Sequence, residues 1–400
     1  MHDIAKISTN YIISKQITTF FTFYTKYTIM AKILASTVYT CYLCVVRYPI
    51  MAKRLTIKEI AEKAGVSSGT VDRVLHGRGK VSERSRVAVE HAIAAYGKVG
   101  ENYYPANARP LLFAVVTPTS TVGDYWSSIH AGIERGLQEL SYLGIIIKFF
   151  HYNQFDLYSC LAAYDAVLEQ KPDAVLVGPT FTDETKQFCT SLDALSIPYV
   201  FVDSQVNGTH PLASFCTDQI ACGKVAARLL TACTNSGGKI ALFESRRSQT
   251  RLSVNSQARR DGFLEYLREI GREQDLIETC YTEMIPSENK QTIKNLLSKY
   301  KDLQGIAVLN SRGSAIAEAL ELFGAQHIWL LSFDLTNSNG NYLRSGVIRA
   351  LVCQRPVRQG YLAITTLANY IIQNIMPEPQ TNYMPIDIVL PETLDIYREE

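Results

Sequence analysis

The order of apolar and polar positions divides the chain into three stretches. In the second, apolar residues recur at helical spacing: Ile57, Ile60, Ala61 and Ala64, then Val71, Val74 and Leu75, then Val89, Ala92, Ile93 and Tyr96. From Leu111 the pattern changes to short apolar runs, among them LLFAVV, IIIKFF, AVLVG, YVFVD, KIALFE, IAVLN, WLLSF, ALVCQ and IDIVL. Segments such as 127–143, 156–170, 219–233, 256–270 and 311–323 fall between most of them and read as helices. Near-continuous apolar strands alternating with helices predict parallel sheets covered on both faces. Residues 1–50 carry neither pattern.

The helical stretch has its own punctuation. Thr56 and Ser67 stand where a hydroxyl can accept an orphan backbone N–H at a helix start. Gly65 lies between the first two helices, where the turn calls for a positive φ. Two short helices joined by such a turn predict a helix-turn-helix, with a third helix starting at Ser82. Val71, Val74 and Leu75 face inward, which leaves Ser68, Gly69, Thr70 and Arg73 on the outer face. Charge adds to this picture: residues 51–109 hold eleven Lys and Arg against six Asp and Glu, a local excess of +5 in a chain whose net charge is only +2. Such an excess suits a polyanionic partner.

The string TIKEIAEKAGVSSGTVDRVLHGRG closely resembles the headpiece of the LacI family of bacterial transcription regulators. The resemblance implies that the second helix enters the major groove of DNA. Ser68, Gly69 and Arg73 then fall where base edges are read, and Arg73 can donate two hydrogen bonds to guanine. Thr56, Ser67 and Thr70 fall where phosphates are contacted. Asp72 departs from the family's small serine; beside phosphate it is repulsive unless Arg73 or a cytosine amino group engages it. With Ser68 and Gly69 short in reach, base specificity leans on Arg73 and Asp72. The hinge departs as well. In YYPANARPLLF, Asn107, Ala108 and Arg109 echo the family motif, but Pro110 follows at once, so little room remains for a hinge helix and a minor-groove wedge.

Polar residues follow the apolar runs at four places, Asp203, Asn310, Asp334 and Gln354. Ligands of doubly wound sheets bind beyond the carboxyl ends of strands. Residues 110–400 resemble the periplasmic-binding-protein-like sensor of LacI regulators and are similar to ribose-type binding proteins. By that resemblance the same four residues face the ligand, Arg259 of RRDGF matches the family's arginine, and Tyr125 and Trp126 lie where aromatics stack on a sugar ring. Carboxylates, a planar guanidinium and amides together satisfy hydroxyls that both donate and accept. Asp218 and Gly223 are read as serving the helix that follows them.

The expected architecture is a small all-α helix-turn-helix domain with a short hinge (51–109) joined to an α/β two-lobed, type I periplasmic-binding-protein-like domain (110–400). Residues 1–50 are read as an extension outside the fold, with Met51 as the natural start. Their longest uncharged stretch after Lys32, Ile33–Val46, falls short of the ~18 residues that span a bilayer. The nine cysteines include one CxxC, Cys41 and Cys44, with no second pair to complete a zinc site, and reduced thiols are expected. No phosphate-binding loop, nucleophile elbow or metal-spaced cluster appears, so neither an enzyme nor a cofactor is expected. The expected partners are a near-palindromic double-stranded DNA operator, a second copy of the chain in a homodimer, and a small effector, a sugar. No membrane is expected, and the location is the cytoplasm, at the nucleoid. A periplasmic sugar-binding protein and a purine-responsive regulator are the alternatives on the same scaffold.

Overall fold

The computed structural model describes residues 57–75, 81–96, 110–140, 144–245, 253–282 and 285–397. The chain forms two compact units, residues 1–106 and 107–400.

Among the described residues the first unit holds three helices: α1 (Ile57–Ala64), α2 (Ser68–Leu75) and α3 (Glu83–Tyr96). Ile60, Ala61, Val71, Val89 and Ala92 are buried against one another, with Ile57, Ala64, Val66 and Val74 packed at the rim. Gly65 sits at φ 64°, a left-handed value that glycine adopts without a Cβ penalty. The Val66 N–H then returns to the Ala61 carbonyl at 3.0 Å and closes α1. Ser67 Oγ accepts the Thr70 N–H at 3.2 Å, and Ser82 Oγ accepts the Ser85 N–H at 3.2 Å. Ser67 thus provides the cap expected of it, and Ser82 caps the third helix in the same way. Thr56, the hinge before Pro110 and residues 1–50 lie outside the described residues.

The second unit contains two six-stranded sheets among the described residues. The first runs β11-β5-β4-β3-β1-β2, from β1 (Leu111–Pro118), β2 (Ile145–Tyr152), β3 (Ala174–Val177), β4 (Tyr199–Asp203), β5 (Ala213–Cys216) and β11 (Thr381–Tyr383). The second runs β12-β10-β9-β8-β6-β7, from β6 (Lys239–Ser245), β7 (Leu276–Tyr281), β8 (Leu303–Val308), β9 (Trp329–Phe333), β10 (Ile348–Cys353) and β12 (Asp387–Val389). Neighbours are parallel except β12, which is antiparallel to β10. The strands are apolar on both faces because both are covered: in the first sheet Val115, Leu176 and Val200 pack on one side, Val116, Val175 and Phe201 on the other.

The lobes share one strand order, and the chain passes between them after β5, after β10 and between β11 and β12. Each lobe also contains a helix pair that crosses very closely. In the first lobe these are α4 (Tyr125–Glu139) and α12 (Pro356–Gln373); in the second, α7 (Gln219–Ala232) and α8 (Val254–Glu269). Gly223 and Gly262 make the second crossing possible. A Cβ on Gly223 would lie 1.9 Å from the Arg259 carbonyl oxygen, and one on Gly262 would lie 2.0 Å from that of Ile220. Asp218 caps α7 by accepting the Ala221 N–H at 2.9 Å. Asp218 and Gly223 thus serve the helix, as read from the sequence.

Candidate functional site

Strand order reverses between β1 and β3 in one lobe and between β6 and β8 in the other, which opens a crevice at the carboxyl ends of the strands. A cavity lies there. Tyr125, Trp126, Asp203, Arg259, Asn310, Asp334 and Gln354, all seven effector candidates, line it. They come from four strand ends and two helices, and only folding brings them together.

In the first lobe α4 begins at Tyr125, two residues earlier than the sequence pattern suggested, because Asp124 caps it through the Ser127 N–H at 2.9 Å. Tyr125 and Trp126 are therefore first-turn residues of this helix. The Tyr125 hydroxyl donates to Asp203 Oδ1 at 2.7 Å. Burial and the neighbouring carboxylate hold the phenol well above its ordinary pKa, so it remains a donor. Trp126 meets Tyr125 edge to face at 5.7 Å and packs on Gly178, where a Cβ would lie 2.6 Å from its ring. It is 6% exposed, as much a core residue as a wall of the cavity.

Asp203 closes β4 at φ 70°, and Asp334 follows β9 at φ 58°. A left-handed backbone at a non-glycine residue costs on the order of 1 kcal/mol or more and clusters at functional sites. The surroundings hold both in place. The Asp203 N–H donates to Gln359 Oε1 at 2.9 Å, and the Asp334 N–H donates to the Val352 carbonyl at 3.0 Å. Neither aspartate caps a helix; Thr336 caps the one after Asp334.

The second lobe carries a connected polar network. Arg259, 3% exposed, donates from Nε to Gln219 Oε1 at 2.7 Å, from Nη1 to the Leu309 carbonyl at 2.8 Å and from Nη2 to Gln354 Oε1 at 2.7 Å. Its guanidinium lies 4.2 Å from the centre of the Phe333 ring. Gln354 Oε1 also accepts from Thr217 Oγ1 at 2.8 Å, and its Nε2 donates to the two Asp334 oxygens at 3.1 and 3.0 Å. Gln354 thus works chiefly by orienting Arg259 and Asp334.

Asn310 has a fixed amide orientation. Its Oδ1 accepts the Arg312 backbone N–H at 3.1 Å, a group that can only donate, and the Tyr281 hydroxyl at 2.6 Å. Nδ2 is thereby left as the end of the amide that can donate to a ligand.

Sequence reading did not find Gln219, Asn255, Tyr281, Ser204 or Gln359. Tyr281 ends β7, a strand whose polar LIETCY text gave a weak signal. Gln359 sits on α12, whose apolar spacing could have revealed the helix but not the bond to Asp203.

On the headpiece, Ser68, Gly69 and Arg73 are exposed, Thr70 and Asp72 half-buried. Arg73 Nε donates to the Gly69 carbonyl at 3.2 Å, and Ser67 Oγ lies 2.9 Å from Thr70 Oγ1. Lys58, Lys63, Arg84 and Arg86 are exposed nearby in the chain. Among the described residues no helix is long and apolar enough to cross a membrane, and no cluster could hold a metal.

A two-lobed α/β receptor with a polar cleft, carried on a chain with a helix-turn-helix, defines the class: a ligand-responsive DNA-binding protein. Residues 113–374 match the periplasmic binding protein domain, and residues 56–99 match the bacterial regulatory proteins of the lacI family. The chain belongs to the LacI family of regulators, with a periplasmic-binding-protein domain as its larger part. It is 26% identical to the transcriptional repressor PurR of Glaesserella parasuis over 86% of this chain and 96% of that protein. It is likewise 26% identical to the ribose operon repressor of Bacillus subtilis, over 68% and 82%. A crystal structure assigned as a LacI transcriptional regulator from Bacteroides fragilis superimposes with TM-score 0.69 at 29% identity, covering 72% of this chain and all of that one. The chain is a DNA-binding transcription regulator, not an enzyme.

Proposed function

We propose that the chain is a repressor whose affinity for operator DNA is set by an uncharged sugar held between the two lobes. The convergence of seven chemically matched residues on one cavity carries this reading. Asp203 and Asp334 accept hydroxyl protons, Asn310 Nδ2 and the remaining Arg259 N–H groups donate, and Tyr125 with Trp126 supplies an apolar wall. Two C2-related headpieces read a near-palindromic operator, with Arg73 and Asp72 on base edges and Ser67, Ser68, Gly69, Thr70 and Thr56 around the backbone and bases. The effector shifts DNA affinity only as far as it distinguishes two lobe arrangements. The protein works in the cytoplasm, at the nucleoid.

A purine effector is the second reading, favoured by the similarity to PurR. A thermal-shift screen of D-ribose, D-galactose, D-arabinose and purine bases separates the two, because a ligand bound only by the folded state raises Tm. A sugar is expected to raise it; stabilisation by purines alone would reverse the assignment. For the headpiece, Arg73→Ala is expected to cost about 1–3 kcal/mol per half-site in footprinting on an operator selected from random DNA. Unchanged sequence preference would refute the assigned recognition helix.

A further inference from the structure

We propose that Asn255 couples lobe closure to the effector by holding the first-lobe carboxylate of Asp203 from the helix that carries Arg259. The proposal rests on the reading of the cleft as the effector site. Asp203 has two partners within its own lobe: Oδ1 takes the Tyr125 hydroxyl and Oδ2 takes the Ser204 hydroxyl at 2.9 Å. A third comes from the other lobe. Asn255 Nδ2 donates to Asp203 Oδ2 at 2.9 Å and approaches the Asp203 carbonyl at 3.4 Å.

Asn255 is placed for this by local sequence. Ser253 caps α8 through the Ser256 N–H at 3.1 Å, which puts Asn255 in the first turn. Arg259 follows four residues later, on the same helix face. One rigid helix therefore presents an amide to the first-lobe carboxylate and a guanidinium to the Gln354–Asp334 pair. The amide is a neutral donor on an ionised acceptor, a bond about twice as strong as one between neutral groups. A second bond between the lobes runs from the Asn337 N–H to the Gly123 carbonyl at 2.9 Å. It uses backbone groups alone and is blind to the ligand. The Asn255 bond ends on a ligand-facing carboxylate, so closure and recognition share one group. It also supplies a closing contact that needs no effector.

The closing contact is tested on the effector-free full chain by small-angle X-ray scattering of the parent, Asn255→Ala and Asn255→Asp, with thermal melts to establish folding. Both variants are expected to show a larger radius of gyration. Asn255→Asp places two carboxylates together, so it is expected to open further than Asn255→Ala. The coupling is tested by calorimetric titration with D-ribose, D-galactose and D-arabinose. The sugar that binds the parent is expected to bind Asn255→Ala about tenfold more weakly, and Asp203→Asn about 10- to 150-fold more weakly. Parental scattering from both folded variants overturns the latch, as does parental sugar affinity in Asn255→Ala. If none of the sugars binds even the parent, the sugar reading of the cleft fails instead, and scattering alone decides the latch.

Discussion

Asp203 and Asp334 stand at equivalent places in two lobes of identical strand order, each at the carboxyl end of its lobe's fourth strand in sequence and each with a left-handed backbone. Their surroundings differ. Asp334 is gripped through both oxygens by Gln354, which Arg259 and Thr217 hold in turn. Asp203 is met by two hydroxyls of its own lobe and by an amide that reaches over from the other. The second-lobe half of the cleft is prebuilt, whereas the first-lobe half is completed by closure. In the low dielectric of a cleft, a fully satisfied polar network rigidifies and a half-satisfied one is costly. One half therefore supplies a fixed template and the other the moving response.

The largest effect is expected from breaking the template. Arg259→Ala takes the charged donor from Gln219 Oε1, the Leu309 carbonyl and Gln354 Oε1, of which Gln354 keeps Thr217 and Gln219 as donors, at about 1–3 kcal/mol for each buried group left unsatisfied. Urea unfolding should show a loss of about 3 kcal/mol, or more, and calorimetry no sugar binding, while a gel shift without sugar should show operator binding retained. Parental sugar affinity would mean that Arg259 is not part of the site.

The two aspartates separate the halves more finely. Asp334→Asn and Asp203→Asn should each weaken the effector by about 1.5–3 kcal/mol, the worth of a hydrogen bond to a charged group. Asp334→Asn should also lower Tm more, because Gln354 loses its ionised acceptor. Equal melting temperatures would contradict the difference between the halves. The crossing glycines give a smaller contrast. Gly223→Ala and Gly132→Ala both overpack a helix crossing and should cost about 1–3 kcal/mol of stability. Gly223→Ala presses on the Arg259 carbonyl itself and so should weaken the effector more than Gly132→Ala, which presses on Val357.

Much of this site was legible in the chain. Each lobe's strands announce themselves as apolar runs, and the polar residue that ends a run lies by geometry at the crevice, which located Asp203, Asn310, Asp334 and Gln354. Their partners were not legible, because Gln359 is 156 positions from Asp203 and Asn255 is 52. No periodicity encodes a contact of that separation. The strand Ala213–Cys216 escaped notice because four residues are too few to show a pattern. The start of α4 was not legible because Asp124 caps it two residues ahead of the segment that reads as helix.

A smaller effect concerns the first lobe alone. His130 is held by Thr117 and Ser120, at 2.8 and 3.1 Å. Burial, and then the nearby His151, pushes its pKa down to about 4 from the ordinary 6.5. The folded state thus binds fewer protons than the unfolded state between these values. Its contribution is intact above about pH 6.5 and is lost as pH falls towards about 4. Urea midpoints of the parent should fall through that window, and those of His130→Gln should fall less. Identical pH profiles would remove His130 from the account.

The central claim is that a sugar in the cleft controls the headpiece, and operator affinity measured against sugar concentration tests it most directly. Fluorescence anisotropy of the selected operator should report an affinity that shifts with the sugar found in the screen. A typical coupling is about 5–150-fold, and in Asp334→Asn the shift should need about 10- to 150-fold more sugar, without loss of sugar-free DNA binding. An operator affinity that does not change while the sugar is bound would contradict the account.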